Sequence, residues 1–265
     1  MGVDILYIRI KRAIESNREC FLCTLEDETE REYMDTYLSE LIMVASSRQK
    51  IVQSRGFCNY HSYKMLIASS KPESSDSHGM ALIMKSVTEG LVEDLRKKES
   101  RDGDSFREFL VSENKCPACV HLSKFMEMYV KEVVNLLSSD YEEFSKFFEE
   151  SKGLCMPHFI TLTRMTEETA RDQRQRIIKT INEVEVENLE RLNTELAEYI
   201  RRQSYEFSER DRAAVEDTVL RSVEKIAGRR GVKISLSRKT CWAARRALLP
   251  KLRSLFSSGH RRIGA

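Results

Sequence analysis

Seven cysteines and five histidines carry most of the chemistry that this 265-residue chain offers. Six of the cysteines form a pattern. Cys20-x2-Cys23 is followed after 34 residues by Cys58-x2-His61, and Cys116-x2-Cys119 after 35 residues by Cys155-x2-His158. A Cys-x2-Cys turn lets two thiolates reach one metal ion, and a Cys-x2-His turn supplies two more ligands. Three sulfurs and one imidazole make a closed tetrahedral set, the Cys₃His class of structural zinc. One Cys-x2-Cys alone would say little. The same four-ligand set twice, in register, says much more.

The flanks repeat as well. Ser54-Arg55-Gly56-Phe57-Cys58-Asn59-Tyr60-His61 aligns with Ser151-Lys152-Gly153-Leu154-Cys155-Met156-Pro157-His158. Tyr33 and Tyr129 stand ten residues after the second Cys of each pair. The offset between copies is 96 residues at the first pair and 97 at the second, so the chain carries an internal duplication.

Other uses of the cysteines fit less well. Disulfides are disfavoured in a reducing compartment. A thioredoxin-type site wants its Cys-x-x-Cys beside a βαβ pattern, which is absent. Inert buried cysteines would not recur with a matched histidine. The expected cofactor is Zn²⁺, two per chain, held by Cys20, Cys23, Cys58, His61, Cys116, Cys119, Cys155 and His158. Iron–sulfur ligation is the lesser alternative, because clusters usually take four cysteines. A zinc ion with three thiolates carries formal charge −1. Arg18, Arg55, Lys115 and Lys152 flank the motifs and are candidates to soften it, although solvated surface charge is their ordinary reading.

The elements that position these residues read as helical. With four Pro and ten Gly in the chain, there are too few turn residues for a sandwich or barrel. The expected fold class is all-α: duplicated helical hairpins each closed by a Cys₃His metal site, long C-terminal helices and a basic tail. Helices are expected over 3–17, 25–44, 80–98, 117–138, 141–151, 157–202 and 213–227, with Asp140 capping one and Gly228 ending the last. Residues 68–79 read as a polar loop containing His78.

Spacing also bears on which ligands share a metal. About 22 helical residues rise roughly 33 Å, while 12 return about 18 Å and four extended residues add about 13 Å. On that arithmetic Cys155 returns beside Cys116 and Cys119, and each copy holds its own metal. Cross-pairing of Cys20 and Cys23 with Cys155 and His158 is the other arrangement that a duplicated fold allows. The expected domains are 1–100 and 101–228, one metal-binding repeat each, and a tail over 229–265.

The segments Glu19-Cys20-Phe21-Leu22-Cys23, Gly56-Phe57-Cys58-Asn59-Tyr60-His61, Lys115-Cys116-Pro117-Ala118-Cys119 and Gly153-Leu154-Cys155-Met156-Pro157-His158-Phe159 resemble an archaeal and bacterial domain-of-unknown-function family. That family pairs Cys-x2-Cys with Cys-x2-His in a helical chain. Leu196-Ala197-Glu198-Tyr199-Ile200-Arg201-Arg202 and the helix ending near Gly228 resemble its C-terminal part. The resemblance implies the fold and the metal-binding pattern, and no activity. It stops near Gly228, so the tail inherits nothing from it.

No catalytic signature accompanies the ligands. There is no G-x-x-x-x-G-K-[ST], G-x-G-x-x-G, H-E-x-x-H or G-x-S-x-G, and no Glu-x-x-His for a di-iron bundle. His121 follows Cys119 by two residues but has Leu25 at the matched position, so it reads as a neighbour of the site or as solvated. Cys241 reads as a free thiol. A closed ligand set points to a non-catalytic zinc protein that presents a surface to a macromolecular partner. A thiolate–zinc redox switch or enzyme, and a metal sensor or carrier, are the alternatives.

Charge is unevenly spread. Residues 229–265 hold eleven Lys/Arg and no Asp/Glu, which leaves the first 228 at net −9. Such a segment suits nucleic acid, an anionic surface or an acidic protein face, or folds back on the acidic body. Its Trp242, Leu248, Leu249, Leu252, Leu255 and Phe256 form an imperfect apolar pattern broken by Pro250. No apolar run approaches the roughly 18 residues that cross a bilayer, and residues 1–10 lack a secretory core. A cytoplasmic location is expected. The long helix over 157–202 also offers a dimerisation face.

Overall fold

A computed structural model describes residues 5–70, 78–96, 116–139, 142–170 and 172–229. Every regular element among them is helical. The helices are α1 (Ile5–Glu15), α2 (Phe21–Ser39), α3 (Ala45–Gln53), α4 (Asn59–Ser69), α5 (His78–Arg96), α6 (Pro117–Ser138), α7 (Glu142–Glu149), α8 (Met156–Thr169), α9 (Arg174–Arg201), α10 (Glu209–Ala213) and α11 (Thr218–Ala227), with a 3₁₀ turn at Leu41–Met43. The chain divides into two compact units, residues 1–230 and 231–265. The tail beyond Arg229, with Cys241, and the proposed cap Asp140 lie outside the described residues.

Helices α2 and α6 pack together as the spine. They run antiparallel, as the two apolar cores reveal. One core takes Ile10 and Ile14 of α1, Phe21 and Leu25 from the start of α2, Val133 and Leu137 from the end of α6, Phe148 of α7 and Ile181 of α9. The other takes Met34 and Tyr37 from the end of α2, Ile51 of α3, Met65 of α4, Ile83 of α5 and Ala118 from the start of α6. Each core therefore joins the beginning of one spine helix to the end of the other. Helix periodicity sets this up, because an apolar stripe must be buried on a neighbour.

The helix expected over 157–202 is two helices. Its chain breaks at Ala170, where φ −92° and ψ 63° leave the helical region, and α8 and α9 pack on one another. Between Met165 and Ile177 the only apolar residue is Ala170, so no stripe holds a continuous helix together there. The buried line of α9 runs Ile177, Ile181, Val184, Glu185, Asn188 and Leu192. Ile200, expected on that stripe, is 70% exposed. The last helix is likewise shorter than expected: α10 and a run of turns precede α11, which Gly228 ends at φ 76°. His78 opens α5, and α4 extends to Ser69, so the expected loop is shorter than 68–79. No helix of the described residues is long and apolar enough to cross a membrane.

Candidate metal centres

Each of the four motifs is built the same way. The first ligand of every motif is a helix N-cap and the second is the third helical residue: Cys20 and Cys23 on α2, Cys58 and His61 on α4, Cys116 and Cys119 on α6, Cys155 and His158 on α8. N-cap and N3 side chains are neighbours at a helix start, which is why the capping box uses the same spacing. The Cys23 amide donates to Cys20 Sγ at 3.4 Å, so the sulfur also caps the helix. A helix N-terminus carries partial positive charge and favours thiolate over thiol. Pro117 sits at N1 of α6, where its missing N–H costs nothing.

The motifs come together in two clusters, each with its ligand atoms within 4.8 Å of one another: Cys20, Cys23, Cys155 and His158 in one, Cys58, His61, Cys116 and Cys119 in the other. Together the clusters take in all eight expected residues. Their pairing is crossed, contrary to the local arrangement that the spacer arithmetic favoured. The reason is what the return leg packs on. Phe148 of α7 meets Phe21 at the start of α2, with ring centroids 6.1 Å apart, in the core that also holds the end of α6. Cys155 therefore meets the start of α2, and Cys58 meets the start of α6 at the other end of the spine.

In the first cluster Cys23 Sγ lies 3.5 Å from Cys155 Sγ, and His158 Nδ1 lies 3.4 Å from Cys20 Sγ, 3.4 Å from Cys23 Sγ and 3.2 Å from Cys155 Sγ. In the second, Cys58 Sγ lies 3.8 Å from Cys119 Sγ, and His61 Nδ1 lies 3.2 Å from Cys58 Sγ, 3.6 Å from Cys116 Sγ and 3.3 Å from Cys119 Sγ. A tetrahedral ion with sulfur at about 2.3 Å and nitrogen at about 2.0 Å has edges of roughly 3.5–3.8 Å. The donor set and spacing fit a metal ion at both places. The clusters differ in access: Cys20, Cys23 and Cys155 are buried, whereas Cys58, Cys116 and Cys119 are half-buried.

Both imidazoles turn Nδ1 to the sulfurs and Nε2 to a carboxylate. His61 Nε2 is 3.1 Å from Glu30 Oε1, and His158 Nε2 is 3.8 Å from Glu26 Oε2. Glu26 and Glu30 stand one turn apart on α2, so one helix serves both centres. The matched positions on α6 are Leu122 and Met126, and the duplication is broken there. A carboxylate on the far nitrogen fixes the tautomer and raises ligand basicity. Lys64 and Tyr60 donate to Glu30 in turn, at 2.5 Å and 3.3 Å. Burial pushes His61 down, but Cys116, Glu30 and Cys58 outweigh it and hold the metal-free imidazole up at about 10. Burial likewise pushes the Cys116 thiol up, and the hydrogen bond with His61 reverses this to about 6.

Residues beyond the ligands hold the loop that delivers Cys155. Lys225 of α11 is wholly buried, with Nζ 3.0 Å from Glu185 Oε1, and donates to the Lys152 carbonyl at 2.8 Å. Glu185 accepts from the Leu154 amide at 3.1 Å, and Asn188 donates to the Ser151 carbonyl at 3.1 Å. Gly153 has φ +70°, and a Cβ there would sit 2.7 Å from Glu185 Oε2, so the loop needs glycine. At Gly228 an added Cβ would lie 3.4 Å from Cys155 Sγ, so the end of α11 covers the first cluster. Glu19, next to Cys20 and 2% exposed, takes Arg191 at 2.6 Å and Arg221 at 3.1 Å. Sequence reasoning missed Glu26, Glu30, Glu185 and Lys225. The signal for Glu185 was a charge standing between Ile181 and Leu192 on the buried line of α9.

The remaining candidates fall elsewhere. Lys152 lies 3.9 Å from Glu19 and Arg55 lies 3.6 Å from Asp94, so both face carboxylates. Arg18 is exposed, and Lys115 lies outside the described residues. His121 joins neither cluster; its ring packs between Tyr33 and Phe125, with centroids at 4.7 Å and 4.6 Å. Arg229, the first residue of the basic segment, pairs with Asp27 at 3.0 Å.

Residues 1–233 match a family of unknown function, DUF6062. No curated protein matches the chain, and no solved structure does.

Proposed function

The chain belongs to the DUF6062 family, and we propose that it is a non-catalytic zinc protein whose two Cys₃His centres are structural staples between its halves. One observation carries this reading: every cluster offers four protein ligands, drawn from two motifs on opposite sides of the duplication. A set of four leaves no open coordination position for substrate. The ion would be held by Cys20, Cys23, Cys155 and His158 at one centre and by Cys58, His61, Cys116 and Cys119 at the other, and when bound it supplies cross-linking. Glu26 and Glu30 orient the imidazoles, and four helix N-termini temper the thiolate charge. Thiolate centres of this kind persist in a reducing compartment, which fits a cytoplasmic protein.

The stapled body then serves as a platform. We assign contact with an anionic partner, nucleic acid or an acidic surface, to the basic segment 229–265, whose affinity must fall with added salt. Elemental analysis of protein purified without chelators tests the metal: two zinc ions per chain are expected. Iron with labile sulfide, or fewer than two ions, would overturn the assignment.

The greater exposure of Cys58, Cys116 and Cys119 favours one second reading, a redox switch confined to that centre. Mild peroxide would then release one zinc reversibly and leave the buried centre loaded. Release of both together, or of neither, returns the structural reading.

A further inference from the structure

A cleft of about 450 Å³ opens between the end of α2, the 3₁₀ turn, α3 and the start of α6. Tyr33, Tyr37, Leu41, Lys50, His121 and Lys124 line it. One wall is aromatic: Tyr33 packs against His121 at 4.7 Å and against Tyr37 at 5.9 Å between centroids. The cationic part comes from Lys50 and Lys124, both exposed, which stand on α3 and α6 and make no ion pair among the described residues. Tyr37, 3% exposed, backs this wall with its hydroxyl enclosed in the protein.

We propose that this cleft binds a small flat-ringed anion, an aromatic ring bearing one phosphate or carboxylate group, with Lys50 and Lys124 taking the charge and the tyrosine wall taking the ring. The volume falls within the range of small-molecule sites, and the lining is apolar and aromatic with a few convergent polar groups. Aromatic walls favour ring ligands through offset or edge contacts. The cleft lies outside both ligand sets, so this inference stands apart from the metal reading.

Isothermal titration calorimetry on the full-length, metal-loaded chain tests it. The probes are adenosine monophosphate and 4-hydroxybenzoate, with adenosine and inorganic phosphate as half-ligands. At least one ring anion should bind with Kd below about 1 mM, and each half-ligand at least tenfold more weakly. The arm that binds tells phosphate from carboxylate. The Lys50→Ala/Lys124→Ala variant should lose tenfold or more in affinity at unchanged metal content and Tm. Silence from both ring anions, adenosine binding as well as its monophosphate, or binding that survives the double lysine variant would each overturn the proposal.

Discussion

Cys23 and Cys155 are 132 positions apart in the chain, and their sulfurs are 3.5 Å apart in space. The centre they share ties the start of α2 to the start of α8, so damage to it must be felt in both halves. For Cys155→Ser we expect faster amide exchange at 20–26 as well as at 153–165, with α4 near its wild-type protection, because helical units open separately. Hydrogen-exchange mass spectrometry on the metal-loaded protein reads this. Protection lost only in the second half would contradict the crossed pairing.

The two clusters were legible as candidates in the sequence because their chemistry is: Cys20, Cys23, Cys58, His61 and their counterparts are types that bind metal, at a spacing a helix start imposes. The all-helical fold was legible from the scarcity of Gly and Pro and from the stripe on α6. The pairing was not. Rise per residue measures how far a chain travels and says nothing of which neighbour it travels along, and here Phe148 of α7 packs on Phe21 at the start of α2. Glu30 and Lys225 were hidden for another reason. A buried charge looks like a surface charge in sequence until its partner, here His61 or Glu185, is known.

Glu30 should tune the second centre. With Glu30→Gln the far nitrogen of His61 loses its carboxylate, and metal affinity there should fall about 10–100-fold. Glu26→Gln should do less at the first centre, because Glu26 Oε2 stands at 3.8 Å from His158. Competition with a chromogenic chelator, site by site, checks both.

Lys225→Met leaves the Glu185 carboxylate buried with its cation gone. Breaking such a pair on one side costs about 3–5 kcal/mol. Lys225→Met/Glu185→Gln keeps an acceptor for the Leu154 amide without the charge and should be the more stable of the two. Urea denaturation of the metal-loaded proteins gives the comparison; equal stability of Lys225→Met and wild type would refute the role assigned to the pair.

Acid should loosen α11. Burial would raise the Glu195 carboxyl, but Arg221 and Arg191 outweigh it and hold it below its usual 4.5. A depressed carboxylate stabilises the fold above its unfolded pKa, and that contribution vanishes as pH falls through the folded value. The stability gap between wild type and Glu195→Gln, about 1 kcal/mol, should be flat from neutral pH down to about 5 and close below 4.5. A gap that widens in acid would show the sign to be wrong.

The metal content of two double variants distinguishes crossed from local pairing. Cys23→Ser/Cys155→Ser removes two ligands from one centre and should retain one tightly bound metal per chain. Cys23→Ser/Cys58→Ser removes one ligand from each centre and should weaken both, leaving less than one after gel filtration against a mild chelator. Native mass spectrometry counts the ions. The reverse outcome, one metal kept by Cys23→Ser/Cys58→Ser and none by Cys23→Ser/Cys155→Ser, would mean that each copy binds its own metal.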